Sequence, residues 1–145
     1  MFGWGIQVAY STAFSQAISI LLFIHVKMEN LGYEFVSAKV IAEYLKIPVP
    51  TTVKVLKSLN TARITTTKEG AKGGVLLAKS LKGITLLDVF IAIEHGTPLF
   101  KTQFDFCSSG KQVDDFKLKV STCLQDAEKA MKESLKNTTL ADIYY

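Results

Sequence analysis

The sequence predicts a mainly α-helical protein: a winged helix-turn-helix domain with a small β-hairpin wing, followed by a long C-terminal dimerisation helix. Three observations support this fold class. Two short helical patterns lie between residues 37 and 60, with a break at Pro48 between them. A threonine-rich run and a glycine-rich turn follow, and an apolar stripe continues at helical spacing over residues 113–136. Helix, turn, helix and hairpin in this order form a winged helix-turn-helix.

The first element of the domain is a helix predicted over residues 11 to about 30. Its inner face carries Ala13, Ala17, Ile20, Leu21, Ile24 and Met28. Ser11 or Thr12 is available to cap the helix, and Gly32 is a natural residue to end it. The glycine-rich residues 1–9 show no periodicity and are interpreted as a disordered extension. The domain itself is predicted to span residues 10–96.

The two helices of the helix-turn-helix follow. Ser37 is predicted to cap the first, whose apolar face is Val40, Ile41, Tyr44 and Leu45. Pro48 and Pro50 fix the start of the second, because proline is tolerated only in a first turn. The predicted buried stripe of the second helix is Val53, Leu56 and Leu59. Thr51, Thr52, Lys54, Lys57 and Ser58 are expected to face solvent.

The predicted wing is a hairpin. Residues 64–68 and 75–78 read as two short strands, and the turn between them contains Gly70, Gly73 and Gly74, where positive φ is needed. Lys68 and Lys72 lie in this hairpin and are expected to contact phosphate.

The C-terminal third of the chain is predicted to hold the dimer interface. Thr85 and Asp88 have the spacing of a capping box that opens a helix ending near Gly96, and residues 97–112 are predicted to be a loop. The long helix and its tail occupy residues 113–145. Its stripe contains Val113, Phe116, Val120, Cys123, Leu124, Ala127 and Met131. A small domain offers little surface for so long a stripe, so we expect it to pack on a second copy. A twofold dimer would place two reading helices about one turn of DNA apart.

Charge distribution favours a nucleic-acid partner. The chain has a net charge of +4, but residues 46–87 contain eight basic residues and one acidic residue, a net of +7. The remaining nine basic and twelve acidic residues give −3. Basic charge is therefore concentrated on the predicted reading element, where a phosphate backbone would use it. The alternative is a merely solvated basic face.

Within that element, the start of the second helix is where helix-turn-helix proteins reach base edges. Thr51 and Thr52 stand at this position, and Lys54 and Lys57 lie further along the exposed side. A threonine can contact either a hydrogen-bonding base edge or a thymine methyl group, so these residues do not predict a particular base. Ordinary surface polarity is the alternative interpretation.

Several other classes of protein are not expected. Two cysteines are too few for a secreted disulfide scaffold, and the apolar stretch at residues 17–24 is too short to span a membrane. No basic segment precedes that stretch as in a signal peptide, so a cytoplasmic protein is expected. His25 and His95 have no partners at metal-binding spacing, and no nucleophile motif or phosphate loop is recognisable. We therefore expect no enzyme and no metal site.

The order of segments resembles a known family. A long helix precedes IAEYLKIPVPTTVKVLKSL, and then come GAKGGVLLAK, GITLLDVFIAIEHG, a second long helix and TTLADI. This order is similar to that of the Rrf-two family of bacterial winged-helix transcription regulators, over residues 10–143. The run from Gly73 through Asp88 is its most specific part. The resemblance implies a homodimer joined by its long helices on pseudo-palindromic operator DNA. It also implies backbone contacts near helix N-termini, at Ser11, Thr12, Ser15, Ser37 and Lys39.

Two departures from the family pattern affect the expected chemistry. Cluster-binding members carry three closely spaced cysteines in the loop before the long helix, where this chain has Cys107 alone. Because a cluster needs about four ligands, no iron–sulphur cluster and no other cofactor is expected. Members often have an arginine in the wing before the first glycine, whereas this chain has Glu69.

The two cysteines bear on the signal to which the protein would respond. Cys107 is either a redox-sensing thiol or an incidental cysteine. Cys123 is expected to be a small buried residue at the helix seam, and the alternative is a redox role in which it meets the same cysteine of its dimer mate. We therefore expect a homodimeric regulator, a repressor, that binds double-stranded DNA and responds to thiol oxidation or a small ligand. The alternative is a winged-helix protein-interaction module without operator binding. It is suggested by Glu69, a negative charge in the wing that would lie beside phosphate.

Overall fold

The computed structural model describes residues 12–70, 72–100 and 110–145. Its helices are α1 (Ala13–Leu31), α2 (Ala38–Leu45), α3 (Val49–Thr61), α4 (Leu86–Glu94), α5 (Lys111–Lys136) and α6 (Leu140–Tyr144). The strands are β1 (Thr65–Lys68) and β2 (Gly74–Leu77), and a 3₁₀ turn covers Leu81–Gly83. This is the predicted mainly helical fold with a hairpin wing and a long C-terminal helix.

Helix α1 is the centre of the core. Ala17, Ile20, Leu21 and Ile24 recur at helical spacing and are fully buried, as predicted. They pack against α2, α3, α4 and β2, which surround them. The other fully buried apolar side chains come from later elements of the chain: Ile41, Leu59, Ile64, Ile84, Val89 and Leu140.

The end of α1 is held by a cluster of aromatic rings around one lysine. Gly32 ends the helix in the left-handed conformation, with φ 71°, as predicted. The Lys27 ammonium lies 5.4 Å from the ring centroids of Phe23 and Tyr33 and 5.7 Å from that of Tyr44. Since Tyr44 belongs to α2, this cation–π cluster ties the end of α1 to the first helix of the helix-turn-helix.

Lys27→Met is expected to lower the free energy of unfolding by about 1 kcal/mol, because it keeps the apolar stem but removes the cation from three rings. Urea denaturation followed by circular dichroism measures the change. Lys82→Met is the matched control, because Lys82 is exposed in the 3₁₀ turn and contacts no aromatic ring among the described residues. Equal losses in both variants would contradict a specific role for the cluster.

The phase predicted for α2 is partly wrong. Val40 and Tyr44 were expected on the apolar face, but they are 42% and 69% exposed, whereas Ile41 and Ala42 are buried. The helix has only eight residues, so its pattern samples about two turns and leaves the direction of the core open. The predicted cap is confirmed, since the Val40 N–H donates to the Ser37 hydroxyl at 3.2 Å.

The wing is an antiparallel hairpin in which Thr65 pairs with Leu77 and Lys68 with Gly74. It starts at Thr65 and not at Ile64, whose side chain is buried in the core. A separate bridge between Val36 and Val75 fastens β2 to the connection between α1 and α2. Gly70 has the expected positive φ, at 116°, but the same prediction for Gly73 and Gly74 is wrong, since neither is in the positive-φ region.

The last helix closes the domain through two adjacent caps. Thr85 with Asp88, and Thr139 with Asp142, each form a complete capping box. The two caps are joined by the antiparallel bridge between Thr85 and Thr139, so α6 is fixed beside the start of α4. Hydrogen bonds from the Thr139 backbone and then from its side chain lower the pKa of Asp142. The carboxylate form is therefore favoured by the fold, and this support is lost as pH falls through that lowered pKa.

Helix α5 differs from every other long helix of the described chain. It has 26 residues, and none of them is buried. None of the described helices is both long enough and apolar enough to cross a membrane.

Candidate nucleic-acid interface

Helix α3 is oriented by a buried stripe that differs from the predicted one. Thr52, Val55, Leu56 and Leu59 face the core. Thr52, expected as a DNA contact, has 0% exposure, and its hydroxyl donates to the Pro48 carbonyl oxygen at 3.1 Å. Its polar group is satisfied within the first turn, so Thr52 can be buried where a valine would otherwise stand. The prediction that Thr52 faces solvent is therefore wrong, and its buried side chain offers no surface to DNA.

The outward face of α3 is correspondingly rotated. Val53, predicted to be buried, is 48% exposed, and Val49 at the start of the helix is 47% exposed. Lys54 and Lys57 are exposed as predicted, and Thr51 is half-buried. The surface that α3 offers thus begins with apolar side chains and continues with cations.

A cleft of about 360 Å³ borders this face and joins three parts of the chain. Thr12 and Gln16 line it from α1, Lys54 and Ser58 from α3, and His95 from the end of α4. Its described lining contains no aspartate or glutamate. Three predicted contacts, Thr12, Thr51 and Lys54, are therefore brought together in one cleft.

Three polar residues of the lining were missed by the sequence analysis. Gln16 follows Thr12 by four residues, so helical spacing alone could have placed it on the same face. Ser58 and His95 lie on different helices and meet only in the fold, with the Ser58 hydroxyl and His95 Nε2 at 3.5 Å. His95 ends α4 in the left-handed conformation, with φ 51°.

The other predicted contacts near helix starts have mixed outcomes. Thr12 is exposed and precedes α1, but its side chain makes no capping hydrogen bond. Ser15 is exposed and its hydroxyl donates to the Thr12 carbonyl at 2.9 Å. Lys39 is exposed near the start of α2, where Ser37 is the cap. Ser11 lies outside the described residues.

The wing lies close to the start of α2. The bridge between Val36 and Val75 places β2 directly beside the residue that precedes Ser37. Lys72 is exposed in the turn, as is Glu69. The Lys68 ammonium lies 5.1 Å from the Phe35 ring centroid and 3.9 Å from a Glu34 carboxylate oxygen. Its charge is partly matched within the protein, though an exposed pair of this kind is weak.

One asparagine sets the position of the wing relative to α3. The Asn60 side-chain amide donates to the Thr67 hydroxyl, and the Thr65 hydroxyl donates to the Asn60 side-chain oxygen. Because Asn60 belongs to the last turn of α3 and both threonines belong to β1, these bonds connect the two surfaces that could meet a duplex.

The residues predicted for the dimer interface all lie on α5 and remain accessible. Phe116, Cys123 and Ala127 are exposed; Val113, Val120, Leu124 and Met131 are half-buried. Cys123 is a free thiol and is exposed in the protomer, and its burial at a helix seam of the dimer stays a prediction. Cys107 lies outside the described residues. Among those described, no group of three or more metal-ligating side chains is placed to hold an ion.

A winged helix with an exposed cationic reading helix defines a class of nucleic-acid-binding proteins. The chain belongs to the Rrf2 family, described as iron-dependent transcriptional regulators, whose model matches residues 10–145. It is a DNA-binding transcriptional regulator, and the family does not favour the alternative of a pure protein-interaction module.

Individual relatives agree with this assignment. The chain is 28% identical over 138 residues to YffB of Lactococcus lactis, whose assigned role is an HTH-type transcriptional regulator; the match covers 92% of this chain and 85% of YffB. Two solved structures share its fold at 21% identity. CymR, the global cysteine regulator of B. subtilis, has a TM-score of 0.66 over 93% of this chain and 95% of CymR. IscR of T. potens has a TM-score of 0.67 over 97% of this chain and 88% of IscR.

Proposed function

We propose that the protein acts in the cytoplasm as a homodimeric repressor that binds a pseudo-palindromic operator. Each protomer would place α3 in the major groove and set the wing and the starts of α1 and α2 against the backbone. The observation that carries this proposal is the outward face of α3. Lys54 and Lys57 are exposed there, and the adjoining cleft has no acidic residue in its described lining. Such a surface attracts phosphates and releases their counterions.

The homodimer is proposed from α5. A 26-residue helix with no buried residue gains little from its own protomer, where it packs mainly against α4. Pairing with a second α5 would cover its apolar stripe and duplicate α3 on one side of the assembly. Repression follows most simply, because a dimer on a promoter excludes polymerase without any further contact.

Lys54→Ala and Lys57→Ala are each expected to weaken operator binding and to lower the slope of log affinity against log salt by about one. Each lysine that neutralises a phosphate releases about one counterion, so its removal changes the slope as well as the affinity. Fluorescence anisotropy across a salt series, with an operator selected from a random DNA pool, measures both quantities.

Lys129→Ala on α5 is the matched control, because Lys129 is exposed on a helix that is not proposed to touch DNA. Its salt slope should equal that of the unmodified protein. If all three variants keep the salt slope of the unmodified protein, α3 is not the surface that contacts the phosphates. If no duplex is retained at any salt concentration, the operator-binding proposal itself is wrong.

The proposed regulator responds to a signal. A thiol at Cys107 or Cys123, or a small ligand held between the α5 helices, remains the predicted input. Operator affinity measured with reduced and peroxide-treated protein tests the thiol version, and Cys107→Ser and Cys123→Ser identify the residue.

A further inference from the structure

The first two turns of α3 expose an apolar pair. Val49 and Val53 are 47% and 48% exposed, and they are four residues apart, so they lie on one face of the helix. The core-facing stripe of α3 is on another side, at Thr52, Val55, Leu56 and Leu59. Both valines therefore leave nearly half of their surface in water at the end of the helix that helix-turn-helix proteins direct at bases.

The surroundings of this pair match a major groove. Lys57 continues the same row four residues after Val53, and Pro50 and Lys54 form the neighbouring row. Pro50, Lys54 and Lys57 are all exposed. An apolar tip followed by two cations suits a groove whose floor is made of base edges and whose rims are phosphates.

Valine has no hydrogen-bond donor or acceptor on its side chain, so it cannot pair with guanine or adenine edges. The apolar group that the four DNA bases present in the major groove is the C5-methyl group of thymine. We infer that Val49 and Val53 read thymine methyl groups, so that each half-site carries thymine where the first two turns of α3 enter the groove. The inference rests on the proposed operator binding and adds the chemistry of its sequence preference.

The expected size of the effect follows from the burial of one methyl-sized group. Covering such a group corresponds to about a fourfold change in Kd. This is small beside a bidentate hydrogen-bonded contact, but it is confined to individual positions of the half-site and can be measured there.

Replacing thymine by deoxyuridine tests the inference, because it removes the methyl group and leaves the hydrogen-bonding edge unchanged. The full chain would first be used to select an operator from a random duplex pool. Each thymine of one half-site would then be replaced in turn, and Kd measured by anisotropy. We expect about a fourfold loss at one or two thymines and little change at the others.

The same duplexes with Val49→Ala and Val53→Ala identify the residues. Each variant should lose the deoxyuridine penalty at its own position and keep it at the other. Alanine is the better helix former, so α3 should remain folded. Val40→Ala is the matched control, since Val40 on α2 is 42% exposed and should leave every penalty unchanged.

Three outcomes would overturn the inference. One is a selected half-site without thymine, another is equal affinity for thymine and deoxyuridine at every position, and the third is an undiminished penalty in both α3 variants. The first two would show that thymine methyl groups do not cover this pair. If the protein binds a selected duplex specifically but gives any of these results, the proposal of operator binding stands and only the thymine inference fails. If no duplex can be selected, both proposals fail.

Discussion

Val120→Glu on α5 is expected to convert the homodimer into a monomer and to weaken operator binding by about a hundredfold or more. Val120 is half-buried in the protomer and belongs to the predicted apolar stripe of α5. In a twofold interface the same surface meets its own copy, so one substitution introduces two like charges. Placing them in an apolar seam without partners is costly.

The loss of DNA affinity follows from the loss of the second reading helix. A linked second contact gains a factor of about 10² to 10⁴ through effective concentration, and a monomer forfeits that gain. Light scattering coupled to size exclusion would report the mass, and anisotropy on the selected operator would report the affinity. Circular dichroism would show whether the helices remain formed.

Thr122→Glu supplies the matched control. It adds the same charge to the same helix two residues away, roughly on the opposite face. Thr122 is exposed, and its hydroxyl donates to the Leu118 carbonyl at 2.9 Å. This variant should remain a dimer with unchanged affinity. A Val120→Glu protein that stays dimeric at micromolar concentration would place the subunit contact outside this part of α5.

The elements predicted correctly from sequence are those fixed by local hydrogen bonds or by long periodic patterns. The Ser37 cap and the Thr85–Asp88 capping box depend on backbone groups within a few residues. Gly32 ends α1 because the left-handed conformation suits glycine. The apolar stripe of α1 repeats along a helix of 19 residues, so a wrong choice of the buried face would place several polar residues in the core.

The helices of the helix-turn-helix are shorter, so fewer repeats of the apolar pattern are available to fix which face is buried. In α3, Thr52 and Val53 have similar shapes, and either could begin a stripe that includes Leu56 and Leu59. The structure buries Thr52, whose hydroxyl is satisfied by the Pro48 carbonyl, and Val53 faces outward. This shift of the buried stripe by one residue exposes the apolar Val53 in place of the Thr52 hydroxyl. The chemistry by which α3 would read bases depends on that shift.

The composition of the cleft beside α3 could not be predicted, because its walls come from α1, α3 and the end of α4. The same is true of the wing: Lys68 meets Glu34 and Phe35, which precede it by more than thirty residues. The sequence predicted the basic charge of the winged helix-turn-helix but not which lysine ammonium groups already have partners within the protein. We therefore expect Lys54, Lys57 and Lys72 to contribute more to phosphate binding than Lys68.

Gly73→Ala is expected to open the wing, lower stability by about 1–3 kcal/mol and weaken operator binding by about tenfold. A methyl group at Gly73 would overlap the Lys68 carbonyl oxygen, and that oxygen belongs to the backbone of β1 and cannot turn away as a side chain would. The hairpin must therefore separate where Lys68 pairs with Gly74, which displaces Lys72 in the turn.

Gly83→Ala is the matched control, since a methyl group there would meet its nearest neighbour, the Ser80 hydroxyl, at 3.8 Å, an ordinary contact. Urea denaturation and anisotropy on the same operator compare the two variants. The Gly83 variant should match the unmodified protein in both measurements. Normal stability with reduced affinity in Gly73→Ala would locate the effect in the wing alone, and normal values of both would show that the hairpin tolerates a side chain at its tightest point.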